Sequence, residues 1–437
     1  MSSGYIYVKK SGPLQGKVSL DGAKNAVLVI MASLLLTSGK SILRNVPVLS
    51  DVEQMIQILE SLGAVIVFDR EQNILEVDTS HVQPNSIAQD CVKKFRASFL
   101  ILGPLLARFK HVKLALPGGD EIGARPLDFH IKNFKKMNAS VVYDSGLLHA
   151  YTELLSAQKI VLDYPSVGAT ENLMMAMVLT PGRSSIINAA IEPEVLDLIA
   201  VLKKMGARIK IIAPATIQVD GVTSLTAVEH SIMPDRLEAG SLLIAGAITG
   251  GDIFIPDAVV QDMDLFLMKL EEMGHKISCG KKGRGVRIQG SKIAKAVSFK
   301  TTPFPGFATD LQPMMMVAQT IAQGTSNIFE TVFENRFLHA PELVKMGANI
   351  QAAGHFATVT GVCDLYGTHV VAKDIRAACA LGLAGLVAHG ETYIEGLHHW
   401  KRGYETFDEK LRLLGASIEL REETYDLHAP KMTERQL

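Results

Sequence analysis

KMGARIK (204–210) decides the fold, because the same phrase returns at SLGAVIV (61–67), KMNASVV (136–142), EMGHKIS (272–278), KMGANIQ (345–351) and LLGASIE (413–419). In each copy an amphipathic helix stops and a short strand rich in β-branched residues begins. The stop is a Gly at 63, 206, 274, 347 and 415 and Asn138 once, at intervals of 75, 68, 68, 73 and 68 residues. Gly or Asn suits the left-handed residue that follows a helix end. Every copy also carries a second, more apolar helix that runs through a Gly or basic turn into a strand, as in VIMASLLLTSGKSIL (29–43), NLMMAMVLTPGRSSI (172–186) and CALGLAGLVAHGETYI (379–394). A period near 70 is too long for a solenoid and suits a βαβαββ unit copied six times.

The two helices of a unit differ in patterning. MMMVAQTIAQG (314–324) is apolar nearly all round and reads as a core helix, whereas PEVLDLIAVLKKMG (193–206) has one apolar stripe and reads as a solvent-facing one. The expected organisation is an α/β protein of two similar domains with three units each: residues 23–233, then residues 1–22 together with 234–420, followed by a polar extension at 421–437.

The chain has 437 residues, 48% of them hydrophobic, enough for sizeable cores. Its 44 Lys+Arg balance 45 Asp+Glu, so there is no global field for nucleic acid or an anionic membrane. Charged ligands must be met by local clusters. Cys91, Cys279, Cys363 and Cys379 stand far apart and read as reduced cytosolic thiols. The N-terminus has no secretory pattern, and the apolar stretch Ala26–Leu36 is too short to span a bilayer, so a soluble cytoplasmic protein is expected.

Most motif searches fail on physical grounds. SGKS (38–41) resembles the end of a phosphate-binding loop, but position 34 is Leu and a helix precedes it. GKKGRGVRIQG (280–290) reads as a basic hairpin. His398 and His399 are adjacent and, on a strand, would point to opposite faces, which disfavours a metal site. No metal and no cofactor is expected.

Charged residues at the starts of buried helices remain. Lys24 and Asn25 in DGAKNAV, Arg96 in KKFRASF and Arg376 in KDIRAAC add cations to free backbone N–H groups, which makes anion sites. Arg125, Arg336 and Arg402 extend this inventory, and Asp120, Asp310, Glu192, Glu194, Asp235, Glu334 and Asp374 accompany them. Many cations with a few carboxylates suit polyanionic substrates handled by acid/base chemistry.

Taken in order, DGAKNA, RAS, PGGDEIGARPLDFH, SVGAT, EPE, PDRLEAG, TDLQ, TVFENRFLH, DIRA and KRGYE resemble the enolpyruvyl transferases, in the branch that acts on UDP-N-acetylglucosamine. The resemblance covers about residues 5–420. It implies two inside-out α/β barrel domains of three βαβαββ repeats with the active site between them. It also implies transfer of enolpyruvate from phosphoenolpyruvate to the 3′-hydroxyl of UDP-N-acetylglucosamine with release of phosphate. On that resemblance Asp310 takes the hydroxyl proton. Lys24, Arg125 and Arg402 grip phosphoenolpyruvate, with Arg96, Arg336 and Arg376 near them. Asn25, Asp128, Ser166, Val167, Thr309 and Val332 hold the sugar nucleotide, and Pro126, Leu127 and Phe129 are further substrate-binding candidates. Neither a nucleic-acid nor a membrane partner is implied, and a monomer or weak homo-oligomer is expected.

Two departures stand out. Asp120 replaces the cysteine usual in the Pro-Gly-Gly-Cys loop, which makes Asp120 the candidate general acid and implies resistance to fosfomycin, an epoxide that alkylates that cysteine. Tyr164-Pro165 stands where a lysine is common. The glycine-rich loop 116–125 reads as a lid. The competing readings are the sister branch acting on shikimate 3-phosphate, and a descendant that binds sugar nucleotide without chemistry.

Overall fold

The computed structural model describes residues 4–84, 87, 89–124, 126–404 and 406–422. Among them the strands form six separate sheets, one per sequence repeat. The third unit shows the plan. Strand Lys159–Val161 leads through helix Val167–Met177 to the parallel strand Arg183–Ile187. Helix Pro193–Lys204 then leads to the antiparallel pair Arg208–Ile212 and Thr216–Asp220. This is the expected βαβαββ order.

The residue after each amphipathic helix has positive φ in every repeat: Gly63 97°, Asn138 71°, Gly206 109°, Gly274 96°, Gly347 95° and Gly415 101°. A side chain with a β-carbon is strained there, Asn least of all. The recurring Gly or Asn therefore records a backbone requirement.

Helices apolar all round are buried all round. In Lys24–Ser33 every residue but Asn25 is buried, and Gln312–Thr320 and Ile375–Val387 are similar. Each sheet turns one face to such helices and the other outward, so burial alternates along strands such as Thr216–Asp220. The buried apolar side chains fall into two clusters. One runs from Ala23 to Ile232; the other combines Ile6–Leu20 with Leu237–Ile418.

Two passages of chain join these bodies, and each adds a strand to a sheet of its own body. Strand Gln15–Lys17 adds in parallel to Asp252–Val259, and Glu229–Ser231 adds in parallel to Lys40–Arg44. The passages run side by side, joined by Ala23 N–H to Met233 O at 2.7 Å and Asp235 N–H to Asp21 O at 2.9 Å. Strand Tyr5–Lys9 lies between Glu391–Glu395 and Ser417–Arg421. That last strand ends at Arg421, the first residue of the expected extension, because Arg421 pairs with Tyr5. The remainder of the extension, from 423, lies outside the described residues.

Two local expectations are corrected. Arg96 opens a 3₁₀ stretch, Arg96–Ile101, before the α-helix Leu102–Phe109, so it does not begin an α-helix directly. His398 and His399 lie on helix Leu397–Gly403 and not on a strand, because Gly396, at φ 99°, turns the chain immediately after strand Glu391–Glu395. No helix among the described residues is long and apolar enough to cross a membrane.

Candidate active site

A cleft of about 440 Å³ opens between the two bodies. Lys24 is the first residue of its buried helix, and its ammonium meets Asp51 Oδ2 at 2.8 Å. Asp51 sits in the first turn of helix Ser50–Ser61 and is only 2% exposed. From the other body Arg402 Nε reaches Asp51 Oδ1 at 2.9 Å, and Arg402 Nη1 reaches Asp120 Oδ1 at 2.6 Å. One guanidinium thus bridges a helix carboxylate and a loop carboxylate across the cleft. Burial alone would raise the Asp51 carboxyl, but Lys24 and Arg402 outweigh it and hold it below its ordinary value.

A second ion cluster is built on Asp310, in the 3₁₀ turn Thr309–Leu311. Arg336 Nη2 meets Oδ1 at 2.7 Å and Arg376 Nη2 meets Oδ2 at 2.9 Å. Burial again opposes ionisation, and Arg376 with Arg336 overcomes it, holding the carboxyl well below the usual range. Arg376 also donates to Tyr404 Oη at 2.6 Å, which fixes its plane. Asp374 caps the helix that carries Arg376, and Asp235 caps Arg236–Thr249 while accepting the Lys24 backbone N–H at 3.3 Å.

The glycine-rich loop lies against the second body. Besides the Asp120 contact, Asn335 N–H donates to Ile122 O at 2.9 Å, and a β-carbon on Gly123 would fall 2.0 Å from Glu334 Oε2. Asp120 is therefore tied down, and not a solvated loop residue.

Lys24, Asn25, Arg96, Asp120, Pro126, Phe129, Ser166, Val167, Thr309, Asp310, Val332, Arg336, Arg376 and Arg402 all line the cleft. Leu127 and Asp128 do not. Leu127 packs against the first core, and Asp128 opens helix Asp128–Lys136 facing solvent. At a helix start successive side chains fan apart, so only Pro126 and Phe129 of that run face inward. Arg125 lies outside the described residues.

Sequence reasoning missed Asp51, whose place in a first helical turn reads as ordinary dipole compensation. It also missed the environment of His399, whose Nδ1 stands 3.9 Å from Asp120 Oδ1. Burial, then His398, lower the His399 pKa to about 4, so the ring is neutral near pH 7. Among the described residues no group of three or more His, Cys, Asp or Glu is placed to hold a metal ion.

Two buried histidines make a prediction about stability. Burial, with Arg96 nearby, lowers His130 to about 3, and burial with Arg336 does the same for His339. The unfolded rings protonate near 6.5, so their contribution is complete above that pH and is lost as pH falls toward 3. Each costs roughly 3 kcal/mol at pH 4. Urea midpoints should fall between pH 7 and 4, with a shallower slope in His130→Gln; an unchanged slope in that variant would refute the assignment.

The family model for EPSP synthase (3-phosphoshikimate 1-carboxyvinyltransferase) matches residues 8–411. The chain is 48% identical over 411 residues to a UDP-N-acetylglucosamine 1-carboxyvinyltransferase 1 from Caldanaerobacter subterraneus subsp. tengcongensis, covering 94% of this chain and 98% of that one. It is 46% identical over 416 residues to the protein of the same name from Staphylococcus aureus, covering 95% and 98%. The enolpyruvyl transferase NikO from Streptomyces tendae shares the fold at a TM-score of 0.87 and 24% identity, over 96% of this chain and 99% of that one. EPSP synthase from Acinetobacter baumannii does so at 0.76 and 17%, over 95% and 99%. This chain belongs to the enolpyruvyl transferase family.

Proposed function

We propose that the protein transfers enolpyruvate from phosphoenolpyruvate to the 3′-hydroxyl of UDP-N-acetylglucosamine, the first committed step of peptidoglycan synthesis in the cytoplasm. The observation that carries this reading is the convergence of Lys24 and Arg402 on Asp51, with Asp120 on the same guanidinium. The 48% identity to a relative with that name supports the choice of acceptor.

Lys24 and Arg402 supply the charge that receives phosphate and carboxylate. An anion on Arg402 substitutes for the Asp120 carboxylate and places negative charge beside it. Released from the guanidinium, the Asp120 carboxyl serves as the group that donates a proton to C3. Protonation at C3 makes C2 electron-poor. The sugar oxygen bonds to C2 and its proton passes to Asp310. Because Arg336 and Arg376 make Asp310 a weak base, that transfer proceeds as the C–O bond forms and the hydroxyl acidifies. In the second stage C3 returns a proton to Asp120 and the C2–O bond to phosphate breaks, releasing inorganic phosphate.

With phosphoenolpyruvate present, phosphate release is expected with UDP-N-acetylglucosamine and not with shikimate 3-phosphate. Release with shikimate 3-phosphate alone would favour the sister activity; release with neither would favour a silent binding protein.

The loop carries a second expectation. None of the four cysteines lines the cleft, and a carboxylate held by Arg402 is a poor nucleophile toward an epoxide. Fosfomycin should leave the protein unmodified by intact-mass measurement, and Asp120→Cys should gain one adduct and lose activity in step. An adduct on the wild-type chain would sink the resistance claim.

A further inference from the structure

The cleft has an acidic wall that the chemistry above does not use. Glu171, one turn into helix Val167–Met177, is 3% exposed, and its Oε1 is buried with no hydrogen-bond partner among the described residues. Glu192 spends Oε1 on the Phe304 N–H at 3.3 Å, while its Oε2 is buried and unpartnered. Neighbouring Glu194 is satisfied by Arg236 at 2.9 and 3.2 Å. Glu171 and Glu192 line the same cleft as Lys24 and Arg402. Burial, then Glu194 and Glu192, push the Glu171 carboxyl well above its ordinary value.

Leaving buried carboxyl oxygens unpaired is costly, so a site that keeps two of them is shaped for a ligand that completes them. A wall of this sign repels phosphate and carboxylate, which Lys24 and Arg402 attract. What fits is a neutral group rich in hydroxyls, since a hydroxyl donates to a carboxylate and accepts from a carboxylic acid. The wall also adjoins sugar-nucleotide positions: Tyr164 feels the charges of both Glu192 and Glu330, and Glu330 accepts from Thr309 Oγ1 at 3.0 Å.

We propose that Glu171 and Glu192 form the sugar-facing wall of the cleft, each hydrogen-bonding a ring hydroxyl of the acceptor and so selecting it. This rests on the sugar-nucleotide reading above.

The test measures KM for both substrates in the full chain, using UDP-N-acetylglucosamine and its 4-deoxy and 6-deoxy analogues. Glu192→Ala should raise the KM for the parent sugar nucleotide about tenfold, leave that for phosphoenolpyruvate within about twofold, and cost almost nothing further on the analogue lacking the partnered hydroxyl. Glu171→Leu should raise the sugar KM similarly without lowering the thermal midpoint, because it removes a buried unpaired polar group; a purely structural Glu171 would lose stability instead. Glu171→Gln, which keeps shape and polarity, should restore the sugar KM. If Glu192→Ala does not fold, Glu192→Gln with the same analogues carries that arm. An unchanged sugar KM, or equal losses on the parent and both analogues, overturns the proposal. A wild-type chain that releases no phosphate with UDP-N-acetylglucosamine overturns the underlying reading as well.

Discussion

Replacing Arg402 by alanine is expected to lower kcat/KM with phosphoenolpyruvate by about 10³-fold. Arg402 holds Asp51 through Nε and Asp120 through Nη1, and it is the charge nearest the loop carboxylate. Its removal deletes an anion-binding group and leaves Asp51 with Lys24 alone. It also frees Asp120 from the contact that holds it at the cleft. Burial would lower the Arg402 pKa, but Asp51 and Asp120 raise it, so the side chain stays charged throughout the working pH range. Arg402→Lys should recover only part of the loss, because a single ammonium cannot reproduce the fork that meets two carboxylates at once. Steady-state kinetics with varied phosphoenolpyruvate provide the check. A variant that melts like the wild type and keeps its kcat/KM would show that the cation cluster does not bind the donor.

Asp310→Asn is expected to reduce kcat by 10²- to 10⁴-fold, the range for losing a positioned base. The amide cannot take up the hydroxyl proton. It also leaves two buried guanidinium groups short of a counter-charge, since Arg336 is 1% and Arg376 6% exposed. Removing one partner of a buried ion pair costs about 3 kcal/mol, so a lower melting temperature should accompany the loss. The two effects separate in their pattern: the KM for phosphoenolpyruvate should change far less than kcat. A folded Asp310→Asn variant with kcat within tenfold of wild type would remove Asp310 from the proton-transfer role.

Much of the fold is legible in local pattern. Helix and strand periods are short, and the six stop positions need left-handed backbone, so Gly63, Asn138 and their equivalents announce the repeat before any contact is known. Apolar and striped helices are likewise separable by eye, because burial all round demands an apolar surface all round. The cations of the cleft are legible for a related reason: Lys24 and Arg376 occupy buried positions at the starts of apolar helices, where a charge is out of place without a partner.

Other features escape such reading because they join distant residues. Asp51 lies 351 positions from Arg402, and Asp120 lies 282 positions from it. Neither separation leaves any periodic trace. His399 was misplaced because Gly396 ends one strand and admits a helix in a single residue.

By itself the sequence determined the repeat, its count, the two classes of helix and the inventory of charges, since each depends on residues a few positions apart. Tertiary structure alone decided which carboxylate pairs with which cation, that Leu127 and Asp128 turn away while Phe129 turns in, and that Glu171 and Glu192 keep unpaired oxygens in the cleft. Coulomb and hydrogen-bond energies act over a few ångströms in space, and only the folded chain sets which charges come that close.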